Sequence, residues 1–357
     1  MTAVAALAAP TMAEAQLAHQ DLRIPMAEAG SAGLEAFIVW PDGPGRHPLA
    51  LISHGSPRSA DDRPQMTAAS FMPEAQEFAR RGWAAAVVMR RGYGSSGGGW
   101  AEGFGDCAHA NFIDASKASN ADLAAAVKYL ATLPMVDASR ILAVGHSAGG
   151  LASLAFAASQ PSGLVGVINF AGGRGSTAPD AVCAEDALLA AFHAFGAKAN
   201  VPMIWLYAQN DHFFGPALAQ KFKQAFEQSG TKIDFEAMPA FGDDGHQLFS
   251  QGISQWTPKI DAFLQQKHLV LQSTVLSLPS SNVAPPSGLN ESGRKAFQTF
   301  LEAPFHRAFV VGDRGAYGWR SGRRNSEEAV KGAMDNCTKE KGVGCKLYME
   351  DDVAPKK

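Results

Sequence analysis

The sequence predicts an α/β protein: a mostly parallel sheet covered by helices on both faces, followed by a small α+β unit. Three observations predict it. Between residues 34 and 264, short apolar runs alternate with longer stretches at helical spacing, as in strands joined through crossover helices. A stretch rich in Ser, Pro and Asn, with Pro285-Pro286 near its middle, then breaks the alternation. Beyond it helix and strand patterns resume over only about 70 residues, a size at which a small core gains from covalent staples. The expected division is a catalytic domain over 16–270, a linker over 271–290 and a C-terminal module over 291–357. A chain of 357 residues with 46% hydrophobic and 18% charged residues suits one large and one small globular domain.

In order along the chain, residues 34–40 and 49–53 read as strands. Residues 74–81 form a short helix ended by Gly82, and 84–89 a strand of small and β-branched residues. Leu123, Val127, Leu130 and Leu133 recur at helical spacing, so 122–133 reads as a helix stopped before Pro134. Strands are expected at 141–144, 165–170, 203–207 and 233–237, with helices at 151–158, 217–228 and 258–266. In the last unit, helices are expected at 291–301 and 326–336, and strands at 307–311 and 346–350. The basic cluster from Arg320 to Arg324 contains two small residues and reads as a solvated turn.

Gly145-His146-Ser147-Ala148-Gly149 is the most informative pentapeptide. It fits G-x-S-x-G between an apolar strand and a helix, the nucleophile elbow of the α/β-hydrolase fold. A turn that tight leaves room only for small residues, and it sets the serine hydroxyl above the sheet at a helix N-terminus. A serine needs a base, and the base an orienting acid. In this fold the acid follows the serine and the histidine follows the acid. Asp211 ends the strand 203–207, and His246 lies in the loop before the last core helix. Ser147, Asp211 and His246 are therefore the candidate triad. Asp243 and Asp244 compete with Asp211 but share the histidine's own loop. Of the ten histidines, His146 is unsuited beside the nucleophile, and His212 should point away from the face Asp211 uses. An oxyanion needs two convergent N–H donors. Ala148 supplies one, and Ser56 the second, since Pro57 has no N–H. Trp100, Phe104, Phe112, Phe213, Phe214 and Phe241 are candidates for lining the site.

With these residues in place, the region from about Leu34 to Gln266 resembles the dienelactone-hydrolase-like branch of the α/β-hydrolases. The matching motifs are His54-Gly55, Arg91-Gly92-Tyr93-Gly94-Ser95-Ser96-Gly97, the elbow, Asn210-Asp211 and Gly245-His246. The resemblance implies hydrolysis of an ester through an acyl-enzyme. The family's namesake enzymes use a cysteine nucleophile where this chain has Ser147, so their lactone substrate does not carry over. Arg90 and Arg91 are expected to shape their loop. The alternatives are a serine peptidase of the prolyl-oligopeptidase kind, which lacks room here for its propeller, and a binding protein that has kept only the fold.

A net charge of -3 gives no case for nucleic-acid binding, which uses clustered Lys and Arg. No stretch reads as a membrane span, and no cofactor or metal is implied. The expected partner is a small-molecule ester, with the C-terminal module left open to an unidentified partner. Residues 3–9 are apolar, Pro10 follows, and Ala13-Glu14-Ala15 then offers small residues, so 1–15 reads as the remnant of an export signal, which places the protein in the periplasm or outside the cell. The four cysteines, Cys107, Cys183, Cys337 and Cys345, lack zinc-site spacing. In an oxidising compartment they can form two disulfides, Cys107–Cys183 between two loops bordering the site and Cys337–Cys345 in the small unit.

Overall fold

Short continuous apolar runs build the main sheet, because successive strand side chains point to opposite faces and here both faces are buried. The computed structural model describes residues 17–278, 283–340 and 342–353; the export signal expected over 1–15 lies outside them. In chain order the first unit comprises β1 (Leu17–Ile24), β2 (Leu34–Pro41), β3 (His47–Ser53), α1 (Met72–Ala79) and β4 (Ala84–Val88). It continues through α2 (Phe112–Leu130), β5 (Val136–His146), α3 (Ala148–Ala158), β6 (Leu164–Phe170) and a small hairpin of β7 (Ser176–Ala178) and β8 (Ala181–Val182). It ends with α4 (Glu185–Gly196), β9 (Met203–Ala208), α5 (Pro216–Glu227), β10 (Asp234–Met238), α6 (Leu248–Gln251) and α7 (Ile253–Gln266).

Eight strands form one sheet in the order β1-β2-β4-β3-β5-β6-β9-β10. β2 is antiparallel to β1 and β4, and the pairs from β4 to β10 are parallel. Leu49 and Leu51 face α2 to α5 in one buried cluster, while Ala50 and Ile52 face α1, α6 and α7 in another. The sheet is thus a two-faced apolar layer. Its parallel strands all end on the same edge, where ligand and reactive groups collect in such folds.

Local chemistry explains where the structure departs from the pattern. α2 begins ten residues earlier than its apolar spacing predicts, because Asn111 caps it by accepting from the Asp114 N–H. β1 escapes periodicity because it is an edge strand, with only Leu22 and Ile24 buried among its eight residues. Pro258 is tolerated inside α7, which starts at Ile253.

The C-terminal unit comprises α8 (Glu291–Glu302), β11 (Ala308–Val311), β12 (Tyr317–Arg320), α9 (Ser326–Lys339) and β13 (Lys346–Glu350). Its antiparallel sheet has the order β12-β11-β13. Phe309 and Met349 pack with Phe297 and Phe300 of α8, while Ala308 and Val310 pack with α9 on the other face. Both expected cysteine pairs are joined, Cys107 to Cys183 and Cys337 to Cys345. The turn from Arg320 to Arg324 is not simply solvated. Thr67 donates to the Gly322 carbonyl, Arg324 donates to the Pro64 carbonyl, and the turn packs on the first unit. Among the described residues, no helix is long and apolar enough to cross a membrane.

Candidate active site

The sharp turn after β5 is built from small residues. Ser147 takes φ 55° and ψ −123°, outside the regions ordinary side chains favour. A Cβ on Gly149 would stand 2.0 Å from the Ser53 carbonyl oxygen, so only glycine fits where α3 meets the sheet. Ser147 donates its N–H to the Phe170 carbonyl at 2.9 Å, which ties the strained residue to β6. The hydroxyl has no hydrogen-bond partner among the described residues; catalytic contacts of this kind often close only with substrate present.

Asp211 and His246 arrive from separate loops and meet. Asp211 Oδ1 accepts the N–H groups of Phe213 at 2.7 Å and Phe214 at 2.8 Å, and His246 Nδ1 lies 2.9 Å from Oδ2. Burial pushes the Asp211 carboxyl up, but the hydrogen bond and charge of His246 and the two backbone donors outweigh it and hold it below its usual value. An ionised carboxylate can only accept, so the His246 Nδ1 that faces it carries a proton. Ser147, Asp211 and His246 are 5%, 2% and 4% exposed.

Three residues near the candidate triad fix the loops that carry it. Asp244 Oδ1 accepts the N–H groups of His246 and His212, at 2.9 and 3.0 Å. Asn210 bonds the Phe241 N–H at 2.8 Å and the Gly242 carbonyl at 3.0 Å, fixing the rest of that loop. His146 donates from Nε2 to the His246 carbonyl at 3.0 Å. Burial and the adjacent His246 lower its pKa to about 3, so it stays a neutral donor. His212 turns outward to pair with Asp180 at 3.0 Å, as its neighbourhood predicts.

Ser147 opens into a cavity of about 300 Å³. Ser56 and Ala148, the two expected N–H donors, both line it. Ala148 is the first residue of α3, so its N–H has no partner within the helix. Trp100, Phe104, Phe213 and Phe214 form apolar walls. Phe112 instead lies in the core, and Phe241 packs on the α7 side of the sheet. Phe213 also stacks on the His246 ring at 3.9 Å.

The sequence pattern gave no warning of the charges around this cavity. Arg58, Arg63 and Arg174 line it, and none of its lining residues is acidic. Arg58 lies 3.5 Å over Phe213 and Arg63 3.6 Å over Trp100. Beneath them Glu102 is fully buried between Arg90, also fully buried, and Arg174, whose Nη2 is 3.0 Å from Glu102 Oε2. Burial raises the Glu102 carboxyl, but Arg174 and Arg90 drive it far below the usual range. Ser119 donates to Glu102 at 2.5 Å. Tyr93 OH lies 3.0 Å from Glu102 and 2.9 Å from Ser56 Oγ, so the network reaches the oxyanion loop. Arg90 and Arg91 do shape their loop: Arg91 is paired with buried Asp122 at 2.6 Å. No cluster of His, Cys, Asp or Glu among the described residues is placed to hold a metal.

Residues 102–254, which span the elbow, Asp211 and His246, match the model of the dienelactone hydrolase family. The first unit has the α/β-hydrolase fold and over this stretch is similar to the dienelactone hydrolase family. Among solved structures the similarities are distant. An acylaminoacyl peptidase of Pyrococcus horikoshii is 13% identical with a TM-score of 0.50, over 74% of this chain and 43% of that one. The esterase Pf2001 of Pyrococcus furiosus is 16% identical with a TM-score of 0.49, over 70% of this chain and 90% of that one. At such identities the likeness concerns the fold alone. The curated proteins contain no significant match to the sequence. The motif residues thus lie together at one edge of the sheet, while Glu102, Arg174, Arg58 and Arg63, which no motif marks, surround the pocket.

Proposed function

We propose that the hydrolase unit cleaves a small or medium carboxylic ester through an acyl-enzyme on Ser147, with His246 as base and Asp211 as its orienting acid. The observation that carries this reading is the 2.9 Å bond between His246 and Asp211, delivered from two loops to the edge where Ser147 stands. His246 Nε2 takes the hydroxyl proton as Ser147 Oγ attacks the ester carbonyl. The Ser56 and Ala148 N–H groups receive the oxyanion, and the imidazolium then protonates the leaving alcohol. Water repeats the sequence in reverse to free the acid.

The pocket also favours an ester carrying an anionic group. Among the described residues neither Arg58 nor Arg63 has a carboxylate partner: Arg58 donates to Ser176 Oγ and the His212 carbonyl, and Arg63 Nε is buried with no partner there. Guanidinium groups left open in a half-enclosed site suit a carboxylate on the substrate. A cavity of about 300 Å³ fits such an ester better than a peptide. Two disulfides fit an oxidising compartment, so we place the enzyme in the periplasm or outside the cell. The division into 16–270, 271–290 and 291–357 stands as part of the proposal.

The test is a fluorophosphonate probe with turnover of p-nitrophenyl esters and a peptide anilide. The probe should label the wild type and not Ser147→Ala, and equal labelling of both would sink the reading. Asp211→Asn should lower turnover by roughly 10⁴-fold, whereas Asp243→Asn and Asp244→Asn should cost at most about tenfold through loop position. A mono-ester of a dicarboxylic acid should be preferred over its neutral analogue, and faster anilide cleavage would favour a peptidase instead.

A further inference from the structure

The C-terminal unit does not contribute a residue to the pocket, yet it grips the segment that forms one wall of it. Residues 58–71 follow the candidate oxyanion donor Ser56 and carry Arg58 and Arg63 to the cavity. They fold only into two short 3₁₀ turns, Ala60–Gln65 and Ala68–Phe71, which have few internal hydrogen bonds and depend on neighbours for position.

Those neighbours lie on two sides. On the inner side, Glu35 accepts the Ala68 N–H at 2.7 Å, and the Gly94 N–H bonds the Arg63 carbonyl at 2.9 Å. On the outer side the partners belong to the turn after β12. The Gly322 carbonyl receives the Thr67 hydroxyl at 2.5 Å in a buried bond, and Arg324 donates to the carbonyl of Pro64, the residue next to Arg63. A Cβ on Gly322, at φ +61°, would meet Ser70 Cα at 3.2 Å, so the two backbones are in close contact. The turn is itself anchored. The Gly322 N–H bonds the Phe305 carbonyl at 3.1 Å, Phe305 stacks on His19 of β1 at 3.6 Å, and His306 pairs with Asp21 at 2.8 Å.

We propose that the C-terminal unit is a substrate-binding determinant of the hydrolase: its turn Gly322–Arg324 buttresses residues 60–71 and thereby sets where Arg63 stands against Trp100 in the pocket. Arg324 and Gly322 are positioning residues, since neither reaches the cavity. This rests on the reading of the Ser147 pocket as the substrate site. The contact acts on ground-state placement of substrate and leaves Ser147, His246 and Asp211 untouched, so its loss belongs in KM rather than kcat.

The experiment uses the full chain with Arg324→Ala, Gly322→Ala and the conservative Arg324→Lys, each checked by thermal melting. It reads kcat and KM on one activated ester and amide exchange over peptides spanning 60–71 and 99–104. Losing one such bond should raise KM about fivefold with kcat within about twofold, and Arg324→Lys should keep most of the wild-type value. Exchange over both peptides should quicken by a similar factor. Lys331→Ala, which removes an exposed ion pair elsewhere in the same unit, should change neither readout. Unchanged exchange over 60–71 overturns the proposal, and so does faster exchange with an unchanged KM. Should the protein turn over no ester at all, the hydrolase reading fails separately, and exchange at 99–104 decides whether the unit reaches the pocket wall.

Discussion

The two units hold their polar groups in opposite ways. Below its pocket, the hydrolase unit buries Arg90, Glu102 and Asp122 completely and Arg174 almost so, each with ionic partners. The C-terminal unit has a core of Phe297, Phe300, Phe309 and Met349 on one face and alanines with Cys337 on the other; its pairs Arg324–Glu328 and Lys331–Asp335 lie toward solvent, and its buried Arg307 reaches out to the exposed Asp352. A large domain has apolar area enough to carry a desolvated charge network. A unit of this size does not, and it closes its smaller face with a disulfide instead. A buried network of this kind adds little net stability, so its presence beside the pocket points to placement: it ties the loop of Trp100 to Ser56 and to the Arg174 wall.

The sharpest way to break this comparison is to remove the carboxylate at the centre of the network. Glu102→Gln leaves two guanidinium groups buried without a counter-charge, and should cost about 3–5 kcal/mol of stability, read as a loss in denaturant midpoint. A change under 1 kcal/mol would mean that water reaches the network and that the contrast between the units is superficial.

A smaller and more local effect is expected from the staple. Replacing Cys337 and Cys345 by serine opens a short loop and should cost about 2–3 kcal/mol, confined to the C-terminal unit. Amide exchange over α9 and β13 should quicken while the elbow strand β5 stays protected. Equal loss in both units would show that they unfold as one.

The last effect concerns a carboxyl that the hydrolase unit buries without an ionic partner among the described residues. Glu74 of α1 is 2% exposed, one carboxyl oxygen is unpaired, and burial raises its pKa to about 8. Between pH 4.5 and 8 the folded chain keeps a proton that the unfolded chain has released, so stability is full below that window and falls as pH rises through it. Glu74→Gln should therefore differ little from the wild type below pH 4.5 and gain on it as pH rises toward 8. A pH-independent difference in melting temperature would contradict this.

The elbow was legible because its physics is local. A strained turn needs small residues at fixed offsets, and the flanking strand and helix announce themselves by period. Asp211 and His246 were legible through chain order alone. What held them was not: Asn210, Asp244 and His146 act through backbone groups that no side-chain pattern marks. β12 was missed because four residues, Tyr317–Arg320, are too short to show alternation, and with it went the reading of Arg320 to Arg324 as a solvated turn.

The sequence by itself therefore determined a mostly parallel sheet covered on both faces and set the candidate order of the reactive residues, since these follow from periodicity and from the motif, while the cysteine count and placement only allowed the two pairs. Only the tertiary structure decided the electrostatics of the pocket and the role open to the C-terminal unit. Glu102 meets Arg174 across 72 positions and Thr67 meets Gly322 across 255. Charge pairing at such separations leaves no trace in local spacing, because its energy exists only once folding has excluded the water between the partners.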